Sequence, residues 1–257
     1  VSDMQAHQPV ESGKIRSRIL ALDFARGIAI IAMAVFHFTW DLEFFGFVER
    51  GLTLTIEWKS FARSIATSFL FLAGFSLVLG HGKAIRIRSF VKRFAMVAGA
   101  AAIISIATYQ AMPQAPIFFG ILHSIATASV IGLFFLRLPA IILVLTAIAV
   151  IIAPFYLRSE FFDAPLLWWV GLNANIPISN DYVPILPWFA PFLLGMAFAK
   201  YIVDRDFFGT VKQWNNNNFA IRLLAFLGRH SLITYLLHQP ILLGIVWAYS
   251  KLVFGLI

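Results

Sequence analysis

Cysteine is absent from this 257-residue chain, and charge is scarce: Asp, Glu, Lys and Arg make up 12% of it, against about 25% in an ordinary soluble domain. The first absence excludes disulfides, thiolate metal sites and a Cys nucleophile. The second, beside 60% hydrophobic residues and a mean hydropathy of +0.85, excludes an ordinary soluble fold. A GxSxG elbow, a P-loop, an HExxH pair and a CxxC are also missing, so hydrolase, nucleotidase and zinc-protease readings lose their usual support. The strict alternation over about ten residues that marks a membrane β-strand is not found either.

What is present is a series of apolar runs near the ~20 residues needed to cross a bilayer as helix. They fall at about 19 to 40, 60 to 80, 91 to 109, 117 to 136, 138 to 157, 184 to 203 and 231 to 254. The fold class predicted is all-α, a polytopic transmembrane bundle of about seven helices. With the N-terminus in the cytoplasm, fifteen of the twenty Lys and Arg fall on the inner side; Arg50, Lys59, Arg63, Arg158 and Lys251 do not. That asymmetry follows the positive-inside rule and puts the C-terminus outside. The net charge of +8 is then a consequence of topology and gives no reason to propose nucleic-acid binding.

Residues 1 to 18 are polar and aperiodic and are expected to form a disordered cytoplasmic tail, leaving 19 to 257 as one transmembrane domain. A signal peptide is the alternative for the first run, but cleavage after Ala34 would leave a very short apolar core beyond Arg26. LLWWVGL (166 to 172) suits an interfacial helix on the outer side, and FAIRLLAFL (219 to 227) one on the inner side. A tight turn is expected at Arg137 to Pro139.

Ionisable groups inside membrane helices are costly and start as functional-site candidates. The first helix carries Asp23, Arg26, His37, Trp40 and Asp41. Arg26 and His37 are eleven residues apart, three turns plus about 20°, so they share a face with ~16 Å between them along the axis. Asp41, at i+4 from His37, is placed to hold the imidazole, and a carboxylate-oriented His is a general base near neutral pH. The competing reading gives His37 a helix-packing hydrogen bond and leaves Trp40 and Asp41 to mark the outer interface.

His123 lies in the outer half of the fourth helix, at a depth that could approach His37, with Thr127 on its face. In the last helix Ser231, Tyr235 and His238 form one polar stripe, and Pro240 frees a backbone carbonyl as a partner for His238. His238 is expected in the inner-to-middle part of the membrane. Both histidines are equally readable as packing groups. KAIRIRSFVKR (83 to 93) contains Arg86, Arg88, Lys92 and Arg93, which would bind anionic lipid or the phosphates of a cytoplasmic ligand. Asp181 sits at the outer mouth of the proline-rich sixth helix. No spacing among these groups demands a metal.

LDFARGIAIIAMAVFHFTWDL (22 to 42), FLFLAGFSLVLG (69 to 80), FGILHSIA (119 to 126), DYVPILPWFAPFLLG (181 to 195) and GRHSLITYLLHQP (228 to 240) resemble bacterial membrane proteins related to the catalytic domain of heparan-alpha-glucosaminide N-acetyltransferase. The Arg26 to His37 spacing, FLAGFSL and YLLH also resemble acyltransferase-3 type transmembrane acyltransferases. The resemblance implies a multi-pass protein of the bacterial inner membrane that moves an acyl group from cytoplasmic acetyl-CoA to an extracytoplasmic amino sugar or glycan. It implies His37, Asp41 and His123 as catalytic residues. Arg26, Arg86, Arg88, Lys92, Arg93 and His238 would face the donor, and Trp40 and Asp181 the acceptor. Two readings from other classes stay open: a small-solute transporter, for which no internal repeat is found, and a membrane scaffold with structural histidines. Partners expected are membrane lipid and the acceptor, with a homo-oligomer left open.

Overall fold

The computed structural model describes residues 19–205, 214 and 216–255. Each of the seven apolar runs is a helix: α1 (Leu20–Phe44), α2 (Ile56–His81), α3 (Ile87–Ala111), α4 (Ile121–Phe135), α5 (Ala140–Leu157), α6 (Ile185–Asp204) and α8 (Ser231–Phe254). Between the last two lies α7 (Phe219–Arg229), started by Asn218, whose Oδ1 accepts from Ala220 N at 2.9 Å. The tail expected over 1 to 18 lies outside the described residues, as do 206–213 and Asn215. Inner and outer below follow the charge asymmetry of the sequence.

Of the seven helices formed by the apolar runs, six are long and apolar enough to cross a membrane. The exception is α4, with 15 residues, about 22 Å of helix. The run predicted to begin at 117 starts its helix four residues later, because Ile117 to Gly120 are drawn into extended pairing with the segment before α6. Phe119 bridges to Tyr182, Val183 N donates to Phe119 O at 3.0 Å, and Asn180 N donates to Ala115 O at 3.2 Å. The interfacial helix expected over 166 to 172 is a 3-10 turn, Pro165–Val170. It ends at Gly171 (φ +89°), where a side chain would also meet the Leu186 carbonyl, so only glycine fits.

Apolar burial cannot drive helices together inside lipid, so small residues set the crossings. In α2, Gly74 faces the Phe192 carbonyl of α6, and in α6 Gly195 faces the Phe71 carbonyl of α2. The core forms along this crossing: Leu70, Leu143, Phe192, Leu193 and Met196 are fully buried. A second close crossing sets α7 on α1, with Gly27 against the Leu224 carbonyl and Gly228 against the Asp23 carbonyl. The end of α4 is closed by α6, through Lys200 Nζ donating to Leu136 O at 2.7 Å. At the outer end of α1, Glu43 accepts from Gly51 N (2.7 Å), Thr53 N (2.8 Å) and Thr53 Oγ1 (2.7 Å), which ties down the loop to α2.

Candidate active site

At the inner end of α1, Arg26 is held rather than free. Its Nη1 donates to Asp23 Oδ1 at 2.9 Å and its Nη2 to Ser76 Oγ at 2.6 Å, while the Ser76 hydroxyl donates to Leu72 O. Arg229 Nε lies 3.9 Å from the other Asp23 oxygen. Asp23 therefore joins α1 to the end of α7, and Arg26 joins α1 to α2. Arg93 is within electrostatic reach of Arg26 and lines a small cavity of about 20 Å³ with His81, Phe90 and Ser129. That is room for about one water. Arg86, Arg88, Lys92 and Arg93 are exposed, and none has a carboxylate partner among the described residues.

Three turns above Arg26, His37 meets His238. His37 Nδ1 and His238 Nε2 are 3.3 Å apart, and the rings stack with centroids 4.8 Å apart and planes 17° from parallel. His238 Nδ1 is bonded to the Tyr235 carbonyl at 2.5 Å, not to the Leu236 carbonyl that Pro240 leaves free. His238 stands at the level of His37 on α1, and the crossing of α1 and α7 lies below both. A side chain at Gly228 would strike both the Asp23 carbonyl and Gly27 N, so Gly27 and Gly228 share a level. Ten residues of α1, about 15 Å, separate Gly27 from His37, and ten residues, interrupted by the break at His230 between α7 and α8, separate Gly228 from His238.

Asp41 does not hold His37. It is fully buried, and its Oδ1 accepts from Gln239 Nε2 at 2.7 Å. Asp41 Oδ2 and Gln239 Oε1 have no partner among the described residues, nor does Ser124 Oγ on α4. Trp40 stacks on Phe44, centroids 5.5 Å apart.

His123 does not reach His37 either: no hydrogen bond or ring contact joins them among the described residues. Gly120 N donates to His123 Nδ1 at 3.3 Å, so the ring proton is on Nε2, which lies 3.2 Å from Ser105 Oγ; Ser105 in turn donates to Ile117 O at 2.6 Å. Both nitrogens are committed to the start of α4. Asp181 is there too, its Oδ2 accepting from Ile121 N at 2.8 Å. Burial raises the Asp181 carboxyl above its ordinary range, opposed by that backbone hydrogen bond. The carboxylate is also within electrostatic reach of the Tyr235 phenol on α8.

The polar groups thus run from Arg93 and Arg26 at the inner end, through His37, His238 and Tyr235, to Asp181 at the outer mouth. Sequence reasoning did not single out Ser76, Ser105 or Gln239. Gln239 alone carried a signal, a polar residue beside His238 in an otherwise apolar stretch. Such an array suits proton transfer, with a cationic entrance on one side.

No curated protein and no solved structure matches the chain. Residues 18–240 match the family described as heparan-alpha-glucosaminide N-acetyltransferase, catalytic, a stretch that takes in every helix from α1 to α7 and the first part of α8 with Tyr235, His238 and Gln239. On that match over most of its length, and on its bundle of apolar helices, the chain belongs to the catalytic-domain family of heparan-alpha-glucosaminide N-acetyltransferase, a family of transmembrane acetyltransferases.

Proposed function

We propose that this protein moves an acetyl group from acetyl-CoA on the cytoplasmic side of a bacterial inner membrane to an amino sugar or glycan outside it. The observation that carries the reading is the His37–His238 pair, two imidazoles in contact inside a membrane bundle and three turns from Arg26 on the same helix face. A long anionic donor fits that layout. Its phosphates would be met by the unpaired cations Arg86, Arg88, Lys92 and Arg93, and its thioester arm would lie along α1 toward His37. Arg26, anchored by Asp23 and Ser76, adds a fixed positive charge beside that path.

In the reaction His37 takes the proton of the acceptor N–H or O–H as that atom bonds to the acetyl carbonyl carbon. The tetrahedral intermediate collapses with cleavage of the C–S bond, and the departing thiolate takes the proton back. Attack by His37 itself, giving an acetyl-imidazole that the acceptor then opens, needs the same free nitrogen lone pair. Asp181, at the outer mouth and beside Tyr235, is positioned on the acceptor side. His123 holds the start of α4 against α3, a supporting role.

The test is transfer of labelled acetyl from acetyl-CoA to a panel of amino sugars and glycans by the purified chain, beside a folded His37→Ala variant. Transfer by the wild type and its loss in the variant is the expected result. Equal transfer by both would remove His37 from the chemistry, and neither transfer nor binding of acetyl-CoA by the wild type would overturn the assignment.

A further inference from the structure

The tautomer of each ring in the His37–His238 pair follows from what it touches. A carbonyl oxygen only accepts, so His238 Nδ1, bonded to Tyr235 O, carries the proton of its ring. In a neutral imidazole that leaves Nε2 bare, and Nε2 is the atom that faces His37 Nδ1 at 3.3 Å. The proton of that contact therefore belongs to His37 Nδ1. His37 Nε2 is left with an open lone pair and has no hydrogen-bond partner among the described residues. The bond made by one ring nitrogen decides what the other can do.

We infer that His238 is a positioning residue: it holds His37 in the Nδ1–H form so that Nε2 is the reacting atom, and the Tyr235 main-chain carbonyl anchors the relay. This rests on the reading of His37 as base or nucleophile. The group usually expected behind such a histidine is a carboxylate, but Asp41, one turn along α1, is bonded to Gln239 instead. As the acceptor atom bonds to the acetyl carbon, its proton passes to His37 Nε2, and the Nδ1 proton of His37 passes to His238 Nε2. The positive charge comes to rest on His238, whose Nδ1–H still donates to Tyr235 O. When the C–S bond breaks, the thiolate takes the proton from His37 Nε2 and His238 returns one to His37 Nδ1. No net proton is gained or lost by the pair.

The experiment is solid-state NMR of the full chain with ring-15N histidine, in lipid bilayers, with the His37 and His238 signals assigned by single substitution. It is paired with acetyl-transfer kinetics of His238→Ala and His238→Gln. Both rings are expected in the Nδ1–H form in the wild type. Removing the His238 ring in His238→Ala should release His37 from that form and lower kcat about 100-fold with the donor KM unchanged. The Gln carbonyl, which can accept where Nε2 did, should keep the His37 tautomer and restore kcat to within about 10-fold. A wild-type His37 protonated on Nε2, or a His238→Ala protein with unaltered tautomer and kcat, overturns the inference. A His37→Ala protein that still transfers acetyl, with the predicted tautomers in place, overturns the functional reading and leaves the hydrogen-bond assignment standing.

Discussion

Gly228 of α7 and Asp23 of α1 touch backbone to backbone: a Cβ on Gly228 would overlap the Asp23 carbonyl oxygen. The contact sets how far α8 enters the bundle, and with it the level at which His238 meets His37. Gly228→Val is therefore expected to lift α7 off α1, separate Arg229 from Asp23 and destabilise the fold by about 1–3 kcal/mol. Acetyl transfer should fall with it. Gly244 has open space around it, so Gly244→Ala should leave both properties intact. Thermal unfolding in detergent, beside the transfer assay, checks the pair; equal stability of Gly228→Val and wild type would refute the argument.

Asp41 is fully buried with one oxygen bonded to Gln239 and the other unpaired. Asp41→Asn keeps an acceptor for Gln239 Nε2 and removes the charge of a fully buried carboxyl, so its stability should stay within about 1 kcal/mol of wild type or rise. Asp41→Leu strands the Gln239 amide and should cost about 1–3 kcal/mol. Because Asp41 does not touch His37, Asp41→Asn should also leave the His37 tautomer unchanged. Unfolding midpoints of the two variants decide the first point, and ring-15N spectra the second.

Burial raises the Asp181 carboxyl above its ordinary value of 3.8, despite the hydrogen bond from Ile121 N. The folded chain then holds the Asp181 proton more tightly than the unfolded chain does. The associated stability is complete below pH 3.8 and is lost as pH rises through the folded pKa. Asp181→Asn keeps an oxygen for Ile121 N and carries no charge. Its stability relative to wild type should therefore grow as pH is raised from about 4 to about 7. A difference that stays flat across that range, followed by unfolding midpoints, would contradict the assignment.

Arg93 has no carboxylate partner among the described residues and is the cation of the 83 to 93 segment that lines the inner cavity. If the cations of 83 to 93 meet the donor's phosphates, Arg93→Ala should raise the acetyl-CoA KM by about 10-fold, an effect that fades as added salt screens the contact. kcat should hardly change. A fall in kcat at unchanged KM would move Arg93 from donor binding to the structure of the bundle.

The seven helices formed by the apolar runs were legible in the sequence because a membrane span is a local property. A run of about twenty apolar residues marks such a helix without reference to the rest of the chain. The start of α4 was not legible, since Ile117 to Gly120 are apolar in either conformation and only pairing with Tyr182 and Val183 makes them extended. The candidate site was legible in its members and not in its pairings. His37 and Asp41 are neighbours on one helix, and that spacing suggested a bond between them. Their actual partners, His238 and Gln239, are 201 and 198 residues away.

The sequence by itself determined an all-helical membrane bundle and the short set of ionisable groups that its helices carry. The tertiary structure decided which of those groups meet. Spacing along one helix puts two residues on a common face, but the depth of the neighbouring helix depends on where the backbones can approach, here at Gly27 and Gly228. A shift of one turn, about 5.4 Å, would have set a different residue of α8 against His37.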